Sequence, residues 1–524
     1  MVKLQIEDYL VRRWTPWIIV AFAFVVRLLF LNHVEIVDSD AVSRALIAET
    51  WLDAPYWMDH GVWAPFHFYF LSLSIFISSD RVFGPIVITV IFGAFCALPV
   101  YRFTERLLNT NAAIISAVLF TFSPIIFRNS FQPIAGVPYA FFVAMSMWFI
   151  LKALQDENHK KRCFLLGGLL LTVAAGMRYE AWVLVFLFSV VIAMYRQWNY
   201  LFWFWLTAMI FPFIWMVGNF IEYGNILYSV DYATFYNTKL AGVNDNLNLL
   251  QKNKRLLFFP QSLLVLIPFG LVIPLSILTV YKLLRSHFNI DQRNWLLPFF
   301  AILCVYIFKA FNGTLLLQHR FSITLALLII PFIGLLIPKW KSNYFVFILI
   351  TAGLTYPFYM NRLYLKPYPF FETEAPSSIT SAMSENRFYS FNQIQPIPKL
   401  RDSTVHFLLE KTISVFNPDE LLVLDFFGWE NTYNFALNSG VDASKILFLP
   451  FDGMHVEKSF NEIERFKLRT GNYKGYMILN KSSGNMKNVI LDKEGYRIRI
   501  ENQEVPISLI DSIRSLYIFN FETN

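Results

Sequence analysis

The chain has 524 residues, of which 56% are hydrophobic, 18% aromatic and only 15% charged, where ordinary soluble domains carry about 25% charged residues. This excludes a soluble globular protein, and the three cysteines, Cys96, Cys163 and Cys304, all inside apolar runs, exclude a disulfide framework or zinc spacing. The formal charge of +7 sits largely in short loops between apolar runs, so membrane topology accounts for it and nucleic acid is not implied.

Apolar runs of spanning length, about 17 to 25 residues, are predicted at 14–31, 82–101, 111–127, 137–154, 163–177, 180–195, 200–220, 262–281, 295–311, 321–338 and 343–360. The sequence therefore predicts an α-helical polytopic membrane protein of about eleven transmembrane helices. The first run follows Lys3, Arg12 and Arg13 and lacks a small-residue cleavage site, so it reads as an uncleaved anchor. With the N-terminus inside, the loops holding Arg102, Arg106, Lys160, Lys161, Arg162, Arg196, Lys282, Arg285, Lys339 and Lys341 also fall inside, as the positive-inside rule requires. The segment WAPFHFYFLSLSIFIS (63–78) is apolar but short. Counting it as a span would reverse every later loop, so it is predicted as an in-plane or re-entrant helix.

The opposite, outer side then receives VEIVDSDAVSRALIAETWL (34–52), FRNSFQPIAGVP (127–138), GMRYEAW (176–182), the loop 221–261, NGTLLLQHR (312–320) and everything after Met360. Residues 361–398 read as a linker and 399–524 as a small α/β domain, with an amphipathic helix at 400–416 and buried strands at 420–427, 445–450 and 473–479. Asp425 falls at a strand end, where α/β sheets bind ligands. With no glycine-rich loop after it, a structural or acceptor-contacting role is expected.

Ionisable side chains near spans cluster at the outer ends: Arg27, Arg178, Glu180, Lys309, His319 and Arg320, on the side that also holds Asp38, Asp40 and His67. One such cation alone would snorkel to the headgroups; the set suits group transfer from a lipid phosphate. A carboxylate takes the acceptor's proton or, with others, holds a divalent metal such as magnesium or manganese, and Arg and Lys stabilise the departing phosphate. DSDAVSRALIAETWL equally reads as a capped helix, with Asp38 or Ser39 as cap, and Glu49, Asp53 and Asp59 read as solvated helix faces. No GxSxG, Walker or HExxH sequence is present.

In combination these stretches resemble the GT-C superfamily of polyprenyl-phosphate-sugar-dependent glycosyltransferases, in particular bacterial relatives of protein O-mannosyltransferases and aminoarabinose transferases. The resemblance implies that an acid in the first outer loop, Asp40 or Asp38, is the catalytic base or metal ligand. WAPFHFYFL resembles an element near the sugar donor, though Ala64-Pro65 stands where relatives have two prolines. SFQPIAGVPYAFF resembles the second outer loop, with Ala135-Gly136 where many relatives carry an acid. AAGMRYEAWVL resembles an R-Y-E-x-W element and favours Arg178 and Glu180 as site residues, and QHRFSITLALLIIPFIGLL puts Arg320 where relatives face the lipid phosphate.

The resemblance further implies a polyprenyl- or dolichyl-phosphate sugar donor, a protein, lipid or glycan acceptor, mannosyltransferase-like inverting chemistry, and no nucleic-acid partner. Arg178, Arg320 and Lys309 would bind the donor phosphate, with His67, Glu180 and His319 completing the site. The expected setting is a bacterial or archaeal cell membrane with the C-terminal domain extracytoplasmic. Two rivals stand beside this expectation: an oligosaccharyltransferase-like transfer from a lipid pyrophosphate, and a lipid-sugar transporter or flippase.

Overall fold

The computed structural model describes residues 2–31, 39–53, 55, 63–235, 238, 249–267, 271–285, 288–336, 347–355, 417, 420–425, 427, 429–449, 474–481, 486, 489–492, 495–500, 503–513 and 516–522. Asp38, Asp59, the linker and the helix expected at 400–416 lie outside the described residues. The chain divides into two compact units, one of residues 1–34, 61–67 and 86–395, the other of 35–60, 68–85 and 396–524.

The first unit is helical. Helix α1 (Val2–Phe30) holds the first candidate span, Arg13–Phe30, and three helices belong to both units or to the second: α2 (Ser39–Asp53), α3 (Phe66–Ser78) and the start of α4 (Phe83–Phe95). There follow α5 (Ala97–Leu107), α6 (Thr110–Thr121), α7 (Pro124–Asn129), α8 (Gly136–Gln155), α9 (Lys160–Ala175), α10 (Glu180–Met194), α11 (Trp198–Ala208) and α12 (Ile210–Tyr223). Then come α13 (Tyr228–Phe235), α14 (Leu249–Leu266), α15 (Val272–Leu284), α16 (Ile290–Phe311) and α17 (Ile323–Ile329), the last flanked by 3-10 turns at His319–Ser322 and Ile330–Leu336.

Local chemistry sets several of these boundaries. Asn109 and Asn289 cap α6 and α16 by accepting the Ala112 and Gln292 N–H groups at 2.9 and 2.8 Å, filling two of the unsatisfied first-turn donors. Pro124 opens α7 at a position where no N–H is needed. Gly224, at φ 66°, ends α12 in the left-handed conformation a Cβ would disfavour.

Among the described residues, five helical segments are long and apolar enough to span a bilayer, and six if α11 and α12, bent by 50°, count as one. The count of about eleven expected from the sequence is therefore not reached by length. The apolar runs do become helices, but several are short, such as Thr110–Thr121 and Glu180–Met194. The run expected at 262–281 is divided between α14 and α15. Helix α3 has 13 residues, about 20 Å of helix, too short for a 30 Å hydrocarbon core. Unit 1 also exposes large apolar side chains, among them Ile18, Phe202, Phe213 and Ile221, as lipid contact requires.

Helices pack closely where small residues permit it. A Cβ on Gly168 of α9 would lie 2.1 Å from Thr207 Oγ1 and 2.5 Å from the Phe204 carbonyl oxygen of α11. Thr172 Oγ1 donates to the Ala208 carbonyl at 2.8 Å, and Ser146 Oγ of α8 to the Gly167 carbonyl at 2.8 Å, so polar side chains join neighbouring helices through backbone oxygens.

The second unit contains a seven-stranded sheet of order β2-β1-β3-β7-β6-β5-β4. Strands β1 (Leu421–Leu424), β2 (Ile446–Phe448) and β3 (Lys474–Asn480) are parallel and match the three expected strands. Helix α18 (Trp429–Asn438) lies between β1 and β2 in the chain. Strands β4 (Val489–Asp492), β5 (Gly495–Ile500), β6 (Gln503–Ile513) and β7 (Leu516–Glu522) form an antiparallel extension that the sequence reading did not separate into strands. The core is built on Val423, Met477, Leu479, Phe519 and Phe521. Asp425 is wholly buried, and its Oδ2 accepts the Asn480 N–H at 2.8 Å; of the two roles expected, it fills the structural one.

Helix α2 belongs to this unit. Ser43, Leu46, Ile47 and Thr50, a stripe at helical spacing, line a small apolar pocket with Tyr433, Ala443, Ile446 and Phe448. Ser72 Oγ of α3 donates to the Ala48 carbonyl at 2.8 Å, and the Arg44 guanidinium lies 5.3 Å from the Phe68 ring centre. Glu49 is not solvated as expected: its carboxylate pairs with Arg81 at 3.1 Å and is only 19% exposed.

Candidate active site

Four elements of unit 1 converge on the turn between α9 and α10. That turn, residues 176–179, opens with Gly176, whose carbonyl accepts the Phe66 N–H at 2.8 Å. A Cβ on Gly176 would meet the Phe66 ring at 2.5 Å. The WAPFHFY and GMRYEAW stretches, more than a hundred residues apart in sequence, are thus held together by backbone and ring.

Arg178 in this turn is engaged two-pronged by Glu180, Nε to Oε2 at 3.2 Å and Nη2 to Oε1 at 2.5 Å, the planar fork-to-carboxylate match that makes Arg pairs strong. The guanidinium also lies 5.5 Å from the Tyr139 ring centre on α8 and 5.1 Å from that of Phe321, within cation–π range. Burial works against the Arg178 charge, but the Glu180 carboxylate, by charge and hydrogen bond, holds its pKa above the ordinary value. The Lys309 ammonium, near the end of α16, acts electrostatically on the same carboxylate.

Gly136 leaves room for this arrangement, since a Cβ there would stand 3.4 Å from Arg178 Nη1 and 3.0 Å from Ile323 Cδ1. Thr324 Oγ1 donates to Tyr139 Oη at 3.2 Å. The hydroxyl of Tyr306 is buried beside Glu180, Arg178 and Tyr139, with the Thr324 hydroxyl as its neighbour.

The predicted residues are distributed as follows. Arg178, Glu180 and Lys309 come together. Arg320 donates from Nε to Gln318 Oε1 at 2.7 Å, and its guanidinium lies 5.8 Å from the Phe321 ring centre, so two guanidinium groups share one phenyl ring. His319 turns elsewhere: its Nδ1 is 2.9 Å from Ser262 Oγ and its ring stacks on Phe258 of α14 at 4.9 Å. His67 is fully buried at the start of α3. Asp40 stands in the first turn of α2, in the other unit. Tyr139, Tyr306, Phe321 and Thr324 were missed, because aromatic and hydroxyl residues within apolar runs carry no sequence signal that separates site from core.

Among the described residues no three His, Cys, Asp or Glu side chains come together as a metal site would require. The carboxylates described do not fit a divalent ion.

Residues 59–220 match the family model of dolichyl-phosphate-mannose-protein mannosyltransferase. The structure of ArnT from Cupriavidus metallidurans bound to undecaprenyl phosphate is similar over nearly the whole length, with a TM-score of 0.64 at 10% identity, covering 97% of this chain and 98% of that one. The chain has the GT-C fold. The oligosaccharyltransferase of Archaeoglobus fulgidus tethered with an acceptor peptide is similar at a TM-score of 0.50 and 13% identity, over 90% of this chain and 69% of that one. No curated protein matches in sequence. The family match takes in His67, Gly136, Arg178 and Glu180 of this chain, whereas Asp40, Lys309 and Arg320 lie outside it.

Proposed function

We propose that the chain is an integral membrane glycosyltransferase that moves a sugar from a polyprenyl-phosphate-linked donor to an acceptor hydroxyl or amide. The observation that carries this reading is a group of part-buried cations, Arg178 and Arg320 over the one Phe321 ring and Lys309 acting on the Glu180 partner of Arg178, in a chain with the GT-C fold. A lipid phosphate that gains charge as it leaves needs such preorganised donors. The similarity to an ArnT structure holding undecaprenyl phosphate supports the donor class, and the mannosyltransferase family model supports mannose as the sugar.

In this reading Asp40, or Asp38, takes the acceptor proton as the acceptor atom bonds to the anomeric carbon. The bond from that carbon to the phosphate oxygen breaks, and polyprenyl phosphate leaves with the electron pair toward Arg178, Arg320 and Lys309. Direct displacement inverts the anomeric configuration. Glu180 keeps Arg178 oriented, and the Tyr306 hydroxyl offers a further donor to a phosphate oxygen. His67 and His319 act by supporting the surrounding helices. Transfer takes place on the outer face of a bacterial or archaeal cell membrane, with the C-terminal domain outside.

The test is transfer by the full chain in nanodiscs from undecaprenyl- and dolichyl-phosphate mannose to a membrane extract, with release of the lipid phosphate measured. Asp40→Asn or Asp38→Asn is expected to lower turnover by about 10²–10⁴-fold, the usual size of a general-base contribution. Full activity in both variants overturns the base assignment. Release of an oligosaccharide pyrophosphate carrier in place of a monophosphate would select the oligosaccharyltransferase-like reading, which the Archaeoglobus fold similarity favours.

A further inference from the structure

The second unit joins α2 to the C-terminal sheet by a link that catalysis as described above does not use. Arg81, in the turn after α3, donates from Nε to the Leu437 carbonyl at 3.1 Å and from Nη1 to the Val441 carbonyl at 2.6 Å. Nη1 also donates to Glu49 Oε2 of α2 at 3.1 Å. The Leu437 carbonyl belongs to the last turn of α18, where backbone acceptors have no helical partner and a cation is favoured. The Arg81 side chain is 12% exposed, so one guanidinium closes the end of α18 and grips the side of α2.

We infer that Arg81 is a positioning residue that sets the rotation of α2, and with it Asp40, against the C-terminal domain. This rests on the reading of Asp40 as the base. Helix α2 is held on two sides: the stripe Ser43, Leu46, Ile47 and Thr50 sits against Tyr433 and Phe448, and Glu49 is tied to Arg81. The contacts of Leu46 and Ile47 with Tyr433 and Phe448 are non-directional; the Arg81–Glu49 pair, together with the Ser72 hydroxyl on the Ala48 carbonyl, fixes the helix in rotation. Because a helix turns as a rigid body, any rotation at Glu49 is carried to Asp40, nine residues or about 13 Å along the axis. The C-terminal domain thereby becomes part of the apparatus that aims the base.

The experiment compares the wild-type chain, Arg81→Ala, Arg81→Lys and Glu49→Gln in nanodiscs, using undecaprenyl-phosphate mannose as donor and hydrogen exchange as a second readout. Arg81→Ala is expected to lower kcat about 100-fold, the effect of a small misplacement, with the donor KM changed less than about twofold; Arg81→Lys recovers part of the loss. Peptides from 39–53 in Arg81→Ala are expected to exchange about tenfold faster while those from β6 and β7 stay protected. Unchanged protection of 39–53 overturns the inference whatever the transfer result. So does an equal rise in exchange throughout the sheet, since that marks Arg81 as a general stabiliser. If the wild-type chain transfers nothing, the functional reading fails, and the exchange experiment still decides whether Arg81 holds α2.

Discussion

At the scale of single residues, the Arg178–Glu180 pair couples stability to the candidate site. Replacing it by Ala strands the Glu180 carboxylate, only 21% exposed, without its two-pronged partner. Breaking a largely buried pair from one side costs about 3 kcal/mol, so Arg178→Ala is expected to lower the thermal midpoint as well as lipid phosphate binding. Glu180→Gln keeps the shape, removes the competing charge and should melt closer to wild type. Fluorescence-detected melting of the two variants separates these outcomes. The pair was legible in the sequence because RYE places both charges two residues apart between apolar runs. Its aromatic setting was not: Tyr139 and Phe321 look like any other lipid-exposed or core aromatic until the fold brings them to one guanidinium. Position 136 shows a further limit. Where relatives were expected to carry an acid, this chain has a glycine whose bare Cα makes room for Arg178, and the carboxylate beside that arginine comes from Glu180 instead.

At the scale of elements, close helix approach dominates unit 1. Gly168 brings α9 against α11 so closely that a methyl group would strike the Phe204 backbone oxygen at 2.5 Å, and backbone cannot swing aside as a side-chain tip can. Gly168→Ala is expected to cost about 1–3 kcal/mol by overpacking, read as a lower yield of folded protein in detergent and a lower melting midpoint. The apolar runs themselves were plain from composition. Where each helix breaks was less plain, because the breaks at Cys96 and Met209 come from packing and nearby prolines as much as from any polar signal. The extension β4–β7 was missed for a different reason. Strands such as YRIRI alternate charged and apolar residues, a period-two signal that is weak over five residues and easily lost among neighbouring polar turns.

At the scale of the whole molecule, the C-terminal sheet depends on its last strand. Strand β7 hydrogen-bonds to both β3 and β6, and it contributes Phe519 and Phe521 to the core. A chain ending at residue 513 is expected to lose the sheet as a unit, since removing β7 separates the parallel half from the antiparallel half. Limited proteolysis should then digest the region after residue 396 while the helices of unit 1 persist; a protease-resistant C-terminal fragment would show that expectation wrong. The composition step near residue 361 announced a soluble C-terminal part, and three of its strands could be read directly. Nothing in the sequence announced that residues 39–53 pack on it, since no local pattern reports a partner some 390 residues away.

That wide separation bears on how the protein is made. Arg81 and its carbonyl partners stand 356 and 360 residues apart in the chain, so α2 and α3 leave the ribosome long before α18 exists. Synthesis of the intervening segment at about 5–20 residues per second takes roughly 20–70 seconds. During that interval the helix bearing Asp40 has no sheet to dock on. A nascent chain therefore gains a docked α2 only after its C-terminal strands are made, and a prematurely terminated product is born without that docking.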